Sequence, residues 1–306
     1  MLSLEYLQEC YGFNHSKWKI NGEILDTEKG VKRLTNWTEE KRVRWHVQWR
    51  DQLAEKTGCL TNRMIQTIHG ERIILSDAGW VTLHDEVTSL FSYKNRENEI
   101  GAFFGRYFSL GMQDVDTEIN DPYANNKLKI YLQQSFLTKN STEEMRFLEG
   151  IRRESRLRYN KAKEIKEKAG GKQEPIVAPI RSLDQGKVVY GQFYWTNLKG
   201  RPEKGYGSLR NVLTEWLQRY GQTSLFSLLN EIDKEFSLKG YHGKNLLAEC
   251  LTPWEFLEYV MKTRDVHEKD ELLVWKEKLT YQWEASRLLV KALGEWLDVA
   301  QEKVTV

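Results

Sequence analysis

Lys187-Val-Val-Tyr190 runs directly into Gly191-Gln192-Phe-Tyr-Trp-Thr-Asn197, a short β-branched strand entering a loop. On both sides of it the pattern is helical. Upstream, Ser141-Thr-Glu-Glu144 has the form of a capping box. The helix it opens carries Met145, Leu148, Ile151, Tyr159, Ala162 and Ile165 at helical spacing and stops at Gly170-Gly171. A connector from Pro175 to Pro179 then leads to the strand. Downstream, helices are expected over roughly 207–220, 224–236 and 244–262. The last helix shows a sustained stripe of Leu272, Trp275, Leu279, Trp283, Ser286, Leu289, Leu293, Trp296 and Ala300, which reads as core. One isolated strand–loop insert among helices means that most of the β structure lies elsewhere.

It lies near the N-terminus. After a short first helix, Trp18-Lys-Ile-Asn-Gly-Glu-Ile-Leu25 alternates around Asn21-Gly22, a dipeptide that tolerates the positive φ of a tight hairpin. Glu28-Lys29-Gly30 turns again before Val31-Lys32-Arg33-Leu34. A helix then starts at Asn36 or Thr38, with Glu39 and Glu40 suiting its N-terminal dipole, and runs to Gly58. Met64–Ile68, Arg72–Leu75 and Trp80–Leu83, separated by His69-Gly70 and Ala78-Gly79, predict a β-meander. Strand signals thin after Glu86, which puts a β-rich lobe at 1–88 and a helical lobe at 89–306.

Composition narrows the function. Hydrophobic residues make up 40% and 11 residues are Trp, enough apolar surface for a substantial core. Lys plus Arg number 46 against 44 Asp plus Glu, a balance that argues against a dedicated nucleic-acid binder, since phosphate contacts call for a cationic excess. Cys10, Cys59 and Cys250 are odd in number, far apart and without a Cys-x-x-Cys pair, so neither a disulfide framework nor a zinc site is expected. The N-terminal residues lack a basic stretch followed by an apolar run, and no segment approaches the ~20 apolar residues of a membrane span. A cytoplasmic protein with no membrane partner is the expectation. The six histidines contain no i, i+4 pair, and Gly-x-Ser-x-Gly, Walker and Rossmann glycine patterns are missing.

The order of elements resembles the protein-kinase-like fold of the aminoglycoside phosphotransferase type. That resemblance implies an α+β, two-lobed protein with a small antiparallel β-rich N-lobe and a large helical C-lobe. The family carries His-Gly-Asp-x-x-x-x-Asn after a short strand. Here Tyr190, Gly191, Gln192 and Asn197 stand at those positions, keeping the Gly and the Asn but replacing the carboxylate that orients the acceptor hydroxyl with a neutral amide. A second Asp normally follows to hold Mg²⁺, yet from Gln185 to Ile232 the carboxylates are only Glu203, Glu215 and Glu231. Lys32 is the candidate strand lysine of a vestigial nucleotide pocket, with Glu39 or Glu40 as its helix partner. Phe108 stands where these kinases often have a His. Expected, therefore, are no catalytic residues, no metal, no cofactor and no enzymatic activity: a pseudokinase.

Within the superfamily, Thr38-Glu-Glu-Lys through Leu53, Arg63-Met-Ile-Gln-Thr-Ile-His-Gly70 and Leu246-Leu-Ala-Glu-Cys-Leu-Thr-Pro-Trp-Glu-Phe-Leu257 resemble the spore coat protein S-type group of endospore-forming bacteria. This implies a structural or interaction role in coat assembly, in the mother cell or the coat, with other coat or morphogenetic proteins as partners. Two alternatives remain at this point. One is a divergent small-molecule phosphotransferase. The other is a nucleic-acid binder acting through the basic helix 152–168, with Arg152, Arg153, Arg156, Arg158, Lys161, Lys163, Lys166 and Lys168.

Overall fold

The structure, a computed structural model, describes residues 2–77, 79–113, 125–133, 142–170, 173–264, 266 and 268–297. Ser141 of the capping box, Gly171, and Ala300 of the last stripe lie outside the described residues. Contacts group the chain into two compact units. The first comprises 1–94, 106–119 and 176–203, the second 95–105, 120–175 and 204–306.

The first unit is built on a five-stranded antiparallel sheet. Ser16–Ile20 (β1) and Ile24–Thr27 (β2) form the expected hairpin, closed by the Glu23 N–H donating to the Ile20 carbonyl. Gly30–Trp37 (β3) follows through a turn in which Gly30 has φ +89°. Ile74–Ser76 (β5) and Gly79–Asp85 (β6) complete the order β1-β2-β3-β6-β5. The segment 64–68, expected as a strand, is none; its Met64 is instead part of the core beside Trp37 and Val43.

Two helices cover opposite faces of this sheet. Leu4–Tyr11 (α1), capped by the Ser3 hydroxyl and ended by left-handed Gly12, packs Leu7 and Tyr11 on Leu25, Leu34, Ile74, Val81 and Leu83. Glu40–Thr57 (α2) packs Val43 against Trp37 and Trp80 on the other face. The alternation of β3 decides which side chain meets which helix. Lys32, Leu34 and Asn36 share α1's face; Arg33, Thr35 and Trp37 share α2's face.

Leu60–Thr61 (β4), Gly186–Val189 (β8) and Gln192–Trp195 (β9) form a second sheet in the order β4-β9-β8. Ile176–Val177 (β7) precedes it and is fully buried. The opening sequence stretch is thus a β-hairpin, with Val189 paired to Gln192 and Tyr190-Gly191 as its turn. Both turn residues are left-handed, at φ +50° and +77°.

The second unit is helical. Glu97–Gly111 (α3) begins in it, followed by Asn125–Gln133 (α4) and Thr142–Ala169 (α5). Gly207–Glu235 (α6) joins two expected helices into one element, kinked where Gly221 adopts φ +78°, ψ 178°. Gly243–Leu251 (α7) and Trp254–Thr263 (α8) are what the expected single helix 244–262 becomes, because Pro253 lacks the N–H needed to continue α7. Lys269–Trp296 (α9) is the Trp-striped helix, with Leu279 and Trp283 buried against Phe256, Leu257 and Val260. Gly101 and Gly105 bring α3 against α6: a Cβ at Gly101 would stand 2.4 Å from Glu231 Cβ, and one at Gly105 2.7 Å from Glu235 Cβ. No described helix is long and apolar enough to cross a membrane.

Candidate functional site

The residues proposed from sequence fall in different places within the first unit. Lys32 is buried on α1's face and donates to Asp85 at 2.5 Å and to the Lys29 carbonyl at 2.6 Å. Glu39 accepts from Arg201 at 2.9 Å, which holds its carboxyl below the usual range, and Glu40 pairs with Arg44 at 2.7 Å. Lys32 therefore meets neither glutamate. Tyr190 is 99% exposed, and Gln192 is exposed at the start of β9. Asn197 is buried. Phe108 is buried in edge contact with Tyr107, whose hydroxyl donates to the Ala178 carbonyl at 2.8 Å.

Asn197 leads to a constellation that the sequence did not announce. Its backbone N–H and its side-chain amide both donate to Asn62 Oδ1, at 2.8 and 3.3 Å, while Asn62 Nδ2 donates to the Asn197 carbonyl at 3.1 Å. Trp49 Nε1 donates to Asn197 Oδ1 at 3.2 Å. Arg50, one residue on along α2, then spans the pair: Nη1 donates to the Asn62 carbonyl at 2.9 Å and Nη2 to the Asn197 carbonyl at 3.1 Å. Its Nε has no hydrogen-bond partner. Burial lowers the guanidinium pKa to about 10, so it stays charged at neutral pH.

Around this cation the bases are neutral. His84 Nε2 lies 2.8 Å from the Thr82 hydroxyl, which accepts from Trp37 Nε1 at 2.9 Å. His84 Nδ1 lies 3.1 Å from the Asn62 carbonyl and 3.2 Å from the Arg63 carbonyl. With Nδ1 protonated, Trp37 donates to Thr82, Thr82 donates to Nε2, and Nδ1–H donates to the carbonyls, while Arg50 Nη1, 3.3 Å from the same Nδ1, directs its hydrogen bond to the Asn62 carbonyl. His46 donates from Nε2 to the Gly200 carbonyl at 2.8 Å, leaving Nδ1 bare. Burial first, and the Arg50 charge second, push both rings down to about 3. The open end of the same sheet face carries Arg33, which grips Glu86 through two hydrogen bonds at 2.5 and 2.8 Å and is 42% exposed in its side chain.

In the second unit the basic run of α5 is largely internally paired. Arg152 meets Glu149 at 2.5 Å, Lys161 and Lys168 meet Glu164, Lys163 meets Glu167, and Lys166 meets Glu249. Arg158 is buried, donating to Glu255 at 2.6 Å with its guanidinium 4.5 Å from the Trp283 ring centroid.

Comparison with solved structures gives the fold its class. An aminoglycoside phosphotransferase from Alicyclobacillus acidocaldarius is similar over 98% of this chain and 97% of its own, with a TM-score of 0.70 at 9% identity. An AMP-bound spectinomycin phosphotransferase covers 98% of each chain, with a TM-score of 0.55 at 11% identity. A choline/ethanolamine kinase family protein from Mesorhizobium loti covers 94% of each, with a TM-score of 0.51 at 10% identity. No protein-family model matches the chain, and no curated protein matches it by sequence. The chain has the kinase-like fold, with an antiparallel β-sheet N-terminal region and a mostly helical C-terminal region. The expectation that it is no enzyme does not stand, because the structures sharing its fold are phosphotransferases and kinases.

A kinase fold implies a magnesium-bound nucleotide. Among the described residues no group of three His, Cys, Asp or Glu is placed to hold a metal. At Asn197 the amide oxygens already accept hydrogen bonds, and a buried guanidinium lies at the backbone carbonyl. A divalent cation does not fit there.

Proposed function

We propose that the protein is a divergent small-molecule phosphotransferase serving in the assembly of the bacterial spore coat. The observation that carries the enzymatic part is the kinase-like fold shared over 98% of the chain with a solved phosphotransferase. The reaction class is transfer of a phosphoryl group from a nucleotide to a hydroxyl of a small acceptor. A P–O bond to the acceptor forms as the bond to the nucleotide breaks, and the hydroxyl proton passes to solvent. Arg33, not Lys32, is the cation of β3 that lies on α2's face and retains exposure, which suits a phosphate-bearing donor.

The coat role, with coat or morphogenetic proteins as partners, is supported by the likeness of Thr38–Leu53, Arg63–Gly70 and Leu246–Leu257 to the coat protein S-type group. The internal pairing of α5 favours this over a nucleic-acid partner, since paired lysines and arginines have less charge to offer phosphates.

The test is incubation with ATP and a panel of aminoglycosides, choline and amino alcohols, reading phosphorylated acceptor by mass spectrometry. Product that is lost in Arg33→Ala supports the reading. No product across the panel, together with no ATP binding by calorimetry, rejects it. A fluorescent fusion in a sporulating host tests the coat role; uniform fluorescence that never reaches the forespore surface rejects that part.

A further inference from the structure

The residues that meet at Asn197 are two amides, a tryptophan N–H and a guanidinium, and this donor set is built for something other than a divalent ion. A metal site needs unshared oxygen lone pairs, preferably anionic ones. Here Asn62 Oδ1 accepts two hydrogen bonds from Asn197, Asn197 Oδ1 accepts from Trp49, and both backbone carbonyls accept from Arg50. Each of these oxygens already accepts at least one hydrogen bond, and none is anionic. What the cluster has instead is a positive charge of its own, fixed on α2 and wholly buried, with two carbonyl dipoles directed at it.

We infer that Arg50 takes over the organising charge that a divalent metal would supply: it holds Asn62, Asn197 and α2 in one arrangement, so the site is assembled, and binds its phosphate-bearing ligand, without metal. Arg50 is a positioning residue, since its fully buried guanidinium touches no ligand. Two features of the geometry are hard to account for on a purely apolar packing role. First, the guanidinium is directed at backbone carbonyls of residues 12 and 147 positions away, which ties three separate segments to one point. Second, the His46 and His84 rings, both of which feel the Arg50 charge, are held neutral in this cluster, so neither adds a positive charge to it. The ligand-binding part rests on the phosphotransferase reading; the assembly part does not.

Asn197→Asp tests it. The new carboxylate keeps the Trp49 N–H as a donor and stands on the residue whose carbonyl Arg50 holds, while its second oxygen replaces the amide that donated to Asn62 Oδ1. Thermal unfolding of wild type should be the same in magnesium chloride and in EDTA, and Asp at 197 should leave that equality intact, because the guanidinium neutralises it. In Asn197→Asp/Arg50→Met the carboxylate loses its cation, and magnesium should now raise the midpoint by several degrees. Magnesium-dependent stability of wild type, or of Asn197→Asp with Arg50 present, would overturn the inference. Calorimetric titration with ATP forms the second arm. Equal affinity within twofold with and without magnesium supports a metal-free site, and a magnesium-dependent gain above tenfold refutes it. Absence of ATP binding in both buffers rejects the phosphotransferase reading and with it the ligand-binding part, while the unfolding series decides the role of Arg50 independently.

Discussion

Two buried arginines, one in each unit, solve the same problem in different ways. Arg158 has a carboxylate: Glu255 accepts at 2.6 Å, the Leu251 and Cys250 carbonyls take two further hydrogen bonds, and the Trp283 ring lies beneath the guanidinium. Among the described residues, Arg50 meets no carboxylate, but two carbonyl dipoles and the neutral His84 ring. The first is a charge pair, in which each ion makes the other tolerable. The second is a lone charge stabilised by oriented dipoles. A pair can be dismantled by removing both members; a lone charge can only be removed at the cost of the groups it serves.

The largest expected effect breaks the pair from one side. Arg158→Met leaves Glu255 buried without its cation and should cost about 3–5 kcal/mol, read from urea unfolding or from hydrogen exchange in α5 and α8. Arg158→Met/Glu255→Leu should recover most of that loss. If the double variant is as unstable as the single one, the contrast between pair and lone charge is wrong.

Acid sharpens the contrast, and should do so in the first unit. His46 and His84 have folded pKa values of about 3 against about 6.5 when unfolded, so below pH 6.5 the unfolded chain binds more protons. Their stability contribution is complete above pH 6.5 and is lost as pH falls toward 3. Between pH 7 and 5 the loss should be about 2 kcal/mol for each ring. Hydrogen exchange in β3 and β6 measures it, and His84→Asn should remove about half of the slope. A flat profile over that interval contradicts the buried neutral rings.

Arg50→Met comes next, at roughly 2–3 kcal/mol, from two buried carbonyls that each lose a charged donor. Unlike the change at Arg158, no single acidic-to-apolar change elsewhere should restore it. It should also weaken the acid sensitivity, because one of the forces depressing the two histidines is gone. The smallest effect is at Gln192. Gln192→Glu on an exposed strand end should shift the urea midpoint by less than ~0.5 kcal/mol, equally at pH 7 and pH 4. A larger loss at pH 7 would mean that Gln192 is desolvated.

Why some of this could be read from sequence and some could not is a matter of distance along the chain and of parity. Asn21-Gly22 and the runs flanking it encode a hairpin locally, and the Trp stripe of α9 encodes a buried helix by its period. Tyr190-Gly191 carries the same local signal, two turn residues between Val-Val and Phe-Tyr-Trp, and the structure folds it as a hairpin turn rather than as a loop after a strand. Lys32 and Arg33 are neighbours on β3, and one residue on a strand exchanges the faces of a sheet, so the local pattern alone does not say which cation shares a face with α2. The cluster around Arg50 was out of reach for a different reason. Its hydrogen bonds join positions 12 to 148 apart, and neither Asn62 nor Asn197 differs, as a residue type, from an ordinary turn asparagine.

Gly101 and Gly105 sit four apart on α3, where α6 runs so near that even a methyl group would collide with Glu231 and Glu235. A helix contact of that kind works as a lock whose key is the lack of a side chain, and its rule is written in spacing, not in chemistry. An exposed hairpin such as that at Tyr190 and Gln192 tolerates many side chains, while a Gly-x-x-x-Gly step cannot accept alanine without pushing two helices apart. The meeting of these two helices is therefore defined by what two of their residues omit.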